Sequence, residues 1–143
     1  DTTFNYGGIG FDNPITDIAL QSDGKIIVIG QITTYNGSLI SQSIARLNID
    51  GTLDTTFNTG TGTTSQINSI SVQSDDKILL SLTNNEFNGV SVFPAQLPII
   101  RLNKDGDFDT IFSSGYGANS SIYKIKINND KLYVVGDYTT YDS

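Results

Sequence analysis

The sequence predicts an all-β fold built from β-propeller blades, and three observations predict it. The first is self-similarity at a long period. "DTTFN" stands at residues 1–5 and returns at 54–58. "ITDIALQSDGKIIVIG" (15–30) matches "INSISVQSDDKILLSL" (67–82), and "IARLNIDGTL" (44–53) matches "IIRLNKDGDF" (99–108). A third copy opens with "DTIFS" (109–113) and runs through "IYKIKINNDKLYVVG" (122–136). The copies start at Asp1, Asp54 and Asp109, so the repeat is 53 and then 55 residues long. The second observation is local: no stretch carries a helical 3.6-residue period, whereas short β-branched runs alternate with turn dipeptides. The third is size. A four-stranded unit of about 40–50 residues is one propeller blade, whereas solenoid coils are shorter and a β-sandwich does not repeat at this period.

Within a unit the elements follow in order. Residues 15–20, "ITDIAL", read as a strand, and Ser22-Asp23-Gly24 as a tight turn, because Asp-Gly accepts the positive φ that a hairpin demands. "KIIVIG" (25–30) is apolar on both faces, as a strand covered on two sides must be. A longer loop is expected around Tyr35-Asn36-Gly37. "SIARLN" (43–48) and "TLDTTF" (52–57) then flank a second turn at Asp50-Gly51. The fourth strand carries Asp and Thr and suits an exposed edge. In the second unit Asp76 replaces the turn glycine, and in the third "NNDK" is one residue short; both departures are expected to weaken their turns.

The string "RLNxDGxLDxxF" followed by "QSDGKIxVxG" resembles the delta-60 repeat family of bacterial and phage β-propeller repeats, over nearly the whole chain. The resemblance implies a propeller and transfers no catalytic residues. It also implies a large, exported or surface-associated parent protein. The pattern is entered just after the place of "RLNxDGxL" and left at "YTTYDS" (138–143), so residues 1–143 are expected to be a fragment of one propeller domain, an incomplete ring of about two and a half blades. End blades of such an array would present bare apolar faces, to be covered by the remaining blades of the same chain or by a protein partner.

Composition narrows the function classes. The net charge of −7 and pI near 4.2 argue against nucleic-acid backbones and anionic membranes. No apolar run approaches the roughly 20 residues that span a bilayer, so no membrane insertion is expected. Cysteine is absent, which removes disulfides and thiolate chemistry. Histidine is absent as well, which leaves no triad and no general base poised near neutral pH. Glu86 is the single glutamate, and neither Asp17 nor Asp137 is paired with it in the facing arrangement that glycosidases use. No enzymatic activity is expected.

Other candidates remain. Asp50, Asp54, Asp105, Asp107 and Asp109 cluster at turns, and "NKDGDFD" offers oxygen ligands at a spacing of two, a weak calcium signal. The EF-hand spacing is not met, and capping of their own turns is the stronger reading. Arg46 and Arg101 are expected in structural salt bridges or stacks, with Asp54 or Asp109 as partner. Phe4, Phe57 and Phe112 are expected to plug the interfaces between blades, and Tyr35, Phe87 and Tyr141 to anchor loops half-buried. The second unit's longer loop, "FNGVSVFPAQLP", carries Val90, Val92, Phe93, Pro94 and Leu97, either as a contact patch for another chain or folded over its own blade. "NGS" at Asn36 and "NSS" at Asn119 are sequons. The expected role is a non-enzymatic scaffold and interaction module, extracellular, on a cell surface or on a virion. A glycan- or receptor-binding module is the alternative, although tryptophan, the best stacking residue, is absent.

Overall fold

The structure, a computed structural model, describes residues 3–83, 86–91, 99–115 and 117–141. All its regular elements are strands. The first unit holds β1 (Ile15–Leu20), β2 (Ile26–Gly30), the short hairpin β3 (Thr34–Tyr35) and β4 (Ser38–Leu39), and β5 (Ile44–Leu47). The second repeats them as β6 (Ile67–Val72), β7 (Ile78–Leu82), β8 (Glu86–Phe87), β9 (Val90–Ser91) and β10 (Ile99–Leu102). The third contributes β11 (Ile122–Asn128) and β12 (Lys131–Gly136).

Each unit is an antiparallel meander: β1-β2-β5, then β6-β7-β10, then β11-β12. Equivalent registers recur, with Arg46 opposite Ile27 and Arg101 opposite Leu79. The first strand of every sheet carries an irregularity at the same place, before Asp17, Ser69 and Lys124. Such a bulge bends a strand and increases its twist. β6 packs between β1 and β11, so the three sheets stand side by side with their first strands together. These are the open, stacked blades of an incomplete propeller.

The fourth strand of the first two units is reduced to a single bridge, Leu47 to Leu53 and Leu102 to Phe108. The reason is local. Asp54 N–H still donates to the Arg46 carbonyl, but Asp54 Oδ1 then accepts the Thr56 N–H and turns the chain away from the sheet. The expectation of an exposed edge holds for Thr52, Thr55 and Thr56, which are exposed, and fails for Asp54 and Asp109, which are buried. The β3–β4 and β8–β9 hairpins lie where loops were expected.

Two of the three apolar clusters lie between blades. One joins Ile27, Ile29 and Ile44 of the first sheet to Ile70, Leu80, Ile100 and Leu102 of the second, with Phe57 packed against it. Another joins Leu79 and Ile99 to Ile122 and Ile125 of the third, with Phe112 beside it. Phe57 and Phe112 thus seal the seams, as expected, whereas Phe4 is exposed and joins neither cluster. Tyr35 and Phe87 sit deeper than half-buried anchors. Tyr35 spends its hydroxyl on the Gly51 carbonyl (2.6 Å), and Phe87 stacks near Phe108.

Candidate functional site

The recurring polar residues meet at the seam between consecutive blades. Arg46 Nε donates to Asp54 Oδ2 at 2.8 Å, and Lys25 Nζ reaches the same oxygen at 2.9 Å. The guanidinium lies 4.8 Å from the centre of the Phe57 ring. Arg46 Nη1 donates to Gln21 Oε1 and, at 2.6 Å, to the carbonyl of Lys104 in the next unit. Gln21 Nε2 donates to that same carbonyl and to the carbonyl of Asp76. One blade's arginine and glutamine therefore grip two turns of the blade that follows.

The second unit repeats the inner half of this arrangement. Arg101 Nε and Nη2 lie 2.9 Å from Asp109 Oδ2, Lys77 Nζ lies 3.1 Å from it, and Arg101 sits 4.5 Å above the Phe112 ring. Burial pushes both carboxylates up, but the bonds that stabilise the charged form outweigh it. Thr56, Lys25 and Arg46 hold Asp54 well below the usual range, and Lys77, the Ile111 N–H and Arg101 hold Asp109 at about 2.

The pentapeptide completes the clasp. Asn58 N–H donates to the Asp105 carbonyl, as Asn5 N–H does to that of Asp50, each at 2.9 Å. The facing glycines have positive φ, and a Cβ on Gly106 would stand 3.0 Å from the Phe57 ring. Glycine is required there on both counts.

The turn departures act otherwise than expected. Asp76 holds φ of 64°, and its carboxylate accepts the Ser22 N–H (2.7 Å) and hydroxyl (2.6 Å) of the preceding blade. These bonds lower its pKa. Asp130 meets Ser74 in the same way at 3.3 Å. The substitution that was expected to weaken a turn ties two blades together. The shorter third turn reverses with Asn129 and Asp130 both at positive φ, the signature of a two-residue hairpin loop.

The carboxylates of the calcium reading are turn caps and ion-pair partners. Asp50 accepts the Thr52 N–H and hydroxyl, Asp107 accepts Asn103 Nδ2, and exposed Asp105 lies 3.5 Å from Arg46 Nη2. Among the described residues no group of three acidic or metal-ligating side chains comes together. Of the loop candidates, Val90 falls in β9, paired with Phe87, and Val92, Phe93, Pro94 and Leu97 lie outside the described residues. Both sequon asparagines are engaged. Asn36 bonds Asn5 and the Gly10 N–H, and Asn119 bonds Thr139 and the Thr140 N–H.

Beside the first strands, Asp17 Oδ2 lies 2.6 Å from Lys124 Nζ and accepts Ser69 Oγ at 3.3 Å, linking equivalent positions of all three blades. The array ends on apolar surface. Ile18 of β1 is 57 % exposed, whereas its equivalents Ile70 and Ile125 are 4 % and 1 % exposed, each against the preceding blade; Leu20 is 64 % exposed where Val72 and Ile127 are half-buried. At the other end Tyr133 and Val135 are exposed, where Ile27 and Ile29 are buried. Gln21, Lys25 and Ser22 escaped the sequence reading; the available signal was that Gln21, Ser22 and Lys25 return as Gln73, Ser74 and Lys77.

Residues 21–57 match a family model described as "Domain of unknown function (DUF5122) beta-propeller". That span begins at Gln21 and ends at Phe57, so it contains Gln21, Ser22, Lys25, Arg46, Asp54 and Phe57 of the seam. No curated protein and no solved structure matches the chain.

Proposed function

We propose that the chain is a non-enzymatic β-propeller scaffold of the delta-60 repeat type, an interaction module of a larger surface, secreted or virion-associated structural protein. One observation carries the reading: the polar residues that recur from unit to unit bind each other and the neighbouring blade. Arg46, Asp54, Gln21 and Lys25 spend their polar atoms on one another and on the Lys104 and Asp76 carbonyls of the next blade. Repeats joined in this way make a rigid surface whose loops vary without disturbing the sheets. The motif "RLNxDGxLDxxF" supports the delta-60 assignment, and the acidic, histidine-free composition supports a role without catalysis.

The test has two arms. Antibody raised against the chain, applied to fractions of the native source, should label the cell surface, the secreted fraction or the virion. A glycan array probed with the chain should stay blank. Labelling confined to the intracellular fraction would overturn the structural role, and a saturable glycan hit would replace the scaffold with a lectin.

A further inference from the structure

We propose that Asn88-Gly89 is a self-modifying site, where the chain expels ammonia and converts Asn88 to aspartate and isoaspartate, with Thr61 positioning the reacting carboxamide. The sequence holds five dipeptides suited to this chemistry: Asn36-Gly37, Asn88-Gly89, and the Asp-Gly pairs at 23–24, 50–51 and 105–106. Glycine matters because the nucleophile is its own main-chain nitrogen, which no Cβ shields. The folded chain sorts the five. In the Asp-Gly turns the glycine N–H is spent on a carbonyl: Gly24 on Gln21 (3.0 Å), Gly51 on Asn48 (2.9 Å) and Gly106 on Asn103 (3.0 Å). Their side chains are carboxylates, whose charge repels an anionic nitrogen. In the Asn-Gly turns the side chain is a neutral amide, and among the described residues the Gly37 and Gly89 N–H groups donate to no acceptor. Each pair forms an exposed two-residue loop, between Tyr35 and Ser38 or between Phe87 and Val90, with both residues at positive φ.

The two carboxamides are held differently. Asn36 is gripped at both ends: Oδ1 accepts the Gly10 N–H at 2.8 Å and Asn5 Nδ2 at 3.4 Å, and Nδ2 donates to Asn5 Oδ1 at 2.7 Å. Asn88 is gripped at the oxygen alone. Its Oδ1 accepts the Thr61 N–H at 2.9 Å and the Thr61 hydroxyl at 3.0 Å, and its Nδ2 donates to no described acceptor. The reaction uses that asymmetry. Base removes the Gly89 amide proton, and the nitrogen adds to Cγ of Asn88. The new bond puts negative charge on Oδ1, where both Thr61 donors already point. The charge leaves as the Cγ–Nδ2 bond breaks, and Nδ2 departs as ammonia with a proton from water. At Asn36 the same departure must also break the bond to Asn5. Water then adds to either carbonyl of the cyclic imide and opens it to aspartate or isoaspartate. Isoaspartate adds a methylene to the main chain of a two-residue loop. The Asn88 N–H donates to the Gly62 carbonyl at 2.7 Å, and Gly62 pairs with Gln42 of the first unit, so the product alters a joint between units.

The experiment incubates the full chain, folded and in urea, in heavy-oxygen water at mildly alkaline pH, and reads label at each Asn and Asp by peptide mass spectrometry. In urea, where only the local dipeptide counts, Asn36 and Asn88 should take up label at similar rates. In the folded chain Asn88 should lead Asn36 about fivefold, the effect of one hydrogen bond at the departing nitrogen. The three Asp-Gly pairs should lag behind both. Thr61→Val should slow Asn88 about threefold, the loss of one exposed hydrogen bond to the oxyanion, and leave Asn36 unchanged. Thr61→Ser should restore the rate. Because Asn36 and Asn88 are compared within the unsubstituted chain, the result decides the matter even if a variant folds poorly. No label at Asn88, equal folded rates at the two asparagines, or a lead for Asn36 or an Asp-Gly pair would overturn the proposal. A Thr61→Val chain that labels Asn88 as fast as the unsubstituted one would overturn the role of Thr61.

Discussion

A buried guanidinium has five N–H groups to satisfy, and Arg46 satisfies them from four directions: Asp54 and Thr56 on its own edge, Gln21 across the sheet, and the Lys104 carbonyl from the next blade. Lysine offers a point charge and cannot make this fork. Removing one member of a buried ion pair and stranding the other costs about 3–5 kcal/mol, but Lys25 Nζ still reaches Asp54 Oδ2 when Arg46 is gone. Arg46→Ala, which strands the Lys104 carbonyl and Gln21 Oε1 as well, should therefore lower stability by about 2–3 kcal/mol in urea denaturation. Arg101→Ala should be milder, because its seat is more exposed and grips no described turn. Equal losses would mean that the turn carbonyl contributes nothing. The arginine–aspartate pair was legible in the sequence because both partners recur eight residues apart, at 46 and 54 and at 101 and 109. Gln21 and the Lys104 carbonyl were not. They arrive from 25 and 58 residues away, Gln21 through the folding of its own sheet and the Lys104 carbonyl through the stacking of the next sheet on it.

At the scale of elements, the strands were legible almost to the residue: "ITDIAL" is β1, and "KIIVIG" contains β2. Period-2 patterning and Asp-Gly turns are local properties, so a single sequence displays them. What escaped was the fate of the fourth strand and the sign of the turn substitutions, because both depend on the neighbouring blade. Asp76 shows the competition in numbers. A non-glycine residue in the left-handed region costs about 1–2 kcal/mol, and aspartate tolerates it better than most. Against this stand two hydrogen bonds from Ser22 to a carboxylate, each contributing about 1.5–3 kcal/mol where water is excluded and less on this exposed surface. The bonds win by a small margin. Asp76→Gly should reduce stability by about 1 kcal/mol in a thermal melt, even though it restores the residue found in the first unit. A rise in melting temperature would show that turn strain decides this position.

The whole molecule is a stack in which each sheet is stabilised chiefly by its neighbours, and the internal repeat turns that statement into a controlled comparison. Ile18 and Ile70 occupy the same position of the same strand in two units, one residue after the same bulge. They differ in what lies over them: Ile70 is covered by the first blade, and Ile18 has no described blade before it. Burying an isoleucine contributes about 1.5–3 kcal/mol, and a serine in its place adds an unpaired hydroxyl and a cavity. Ile70→Ser should therefore cost about 3 kcal/mol or more, while Ile18→Ser in the isolated chain should stay within about 0.5 kcal/mol. The serine at position 18 should also reduce self-association in sedimentation, because it breaks an exposed apolar face. Once a preceding blade is supplied, position 18 should become as sensitive as position 70. If both variants lose stability equally without one, burial at this strand position comes from within the sheet, and the stacked-blade account of the array is wrong.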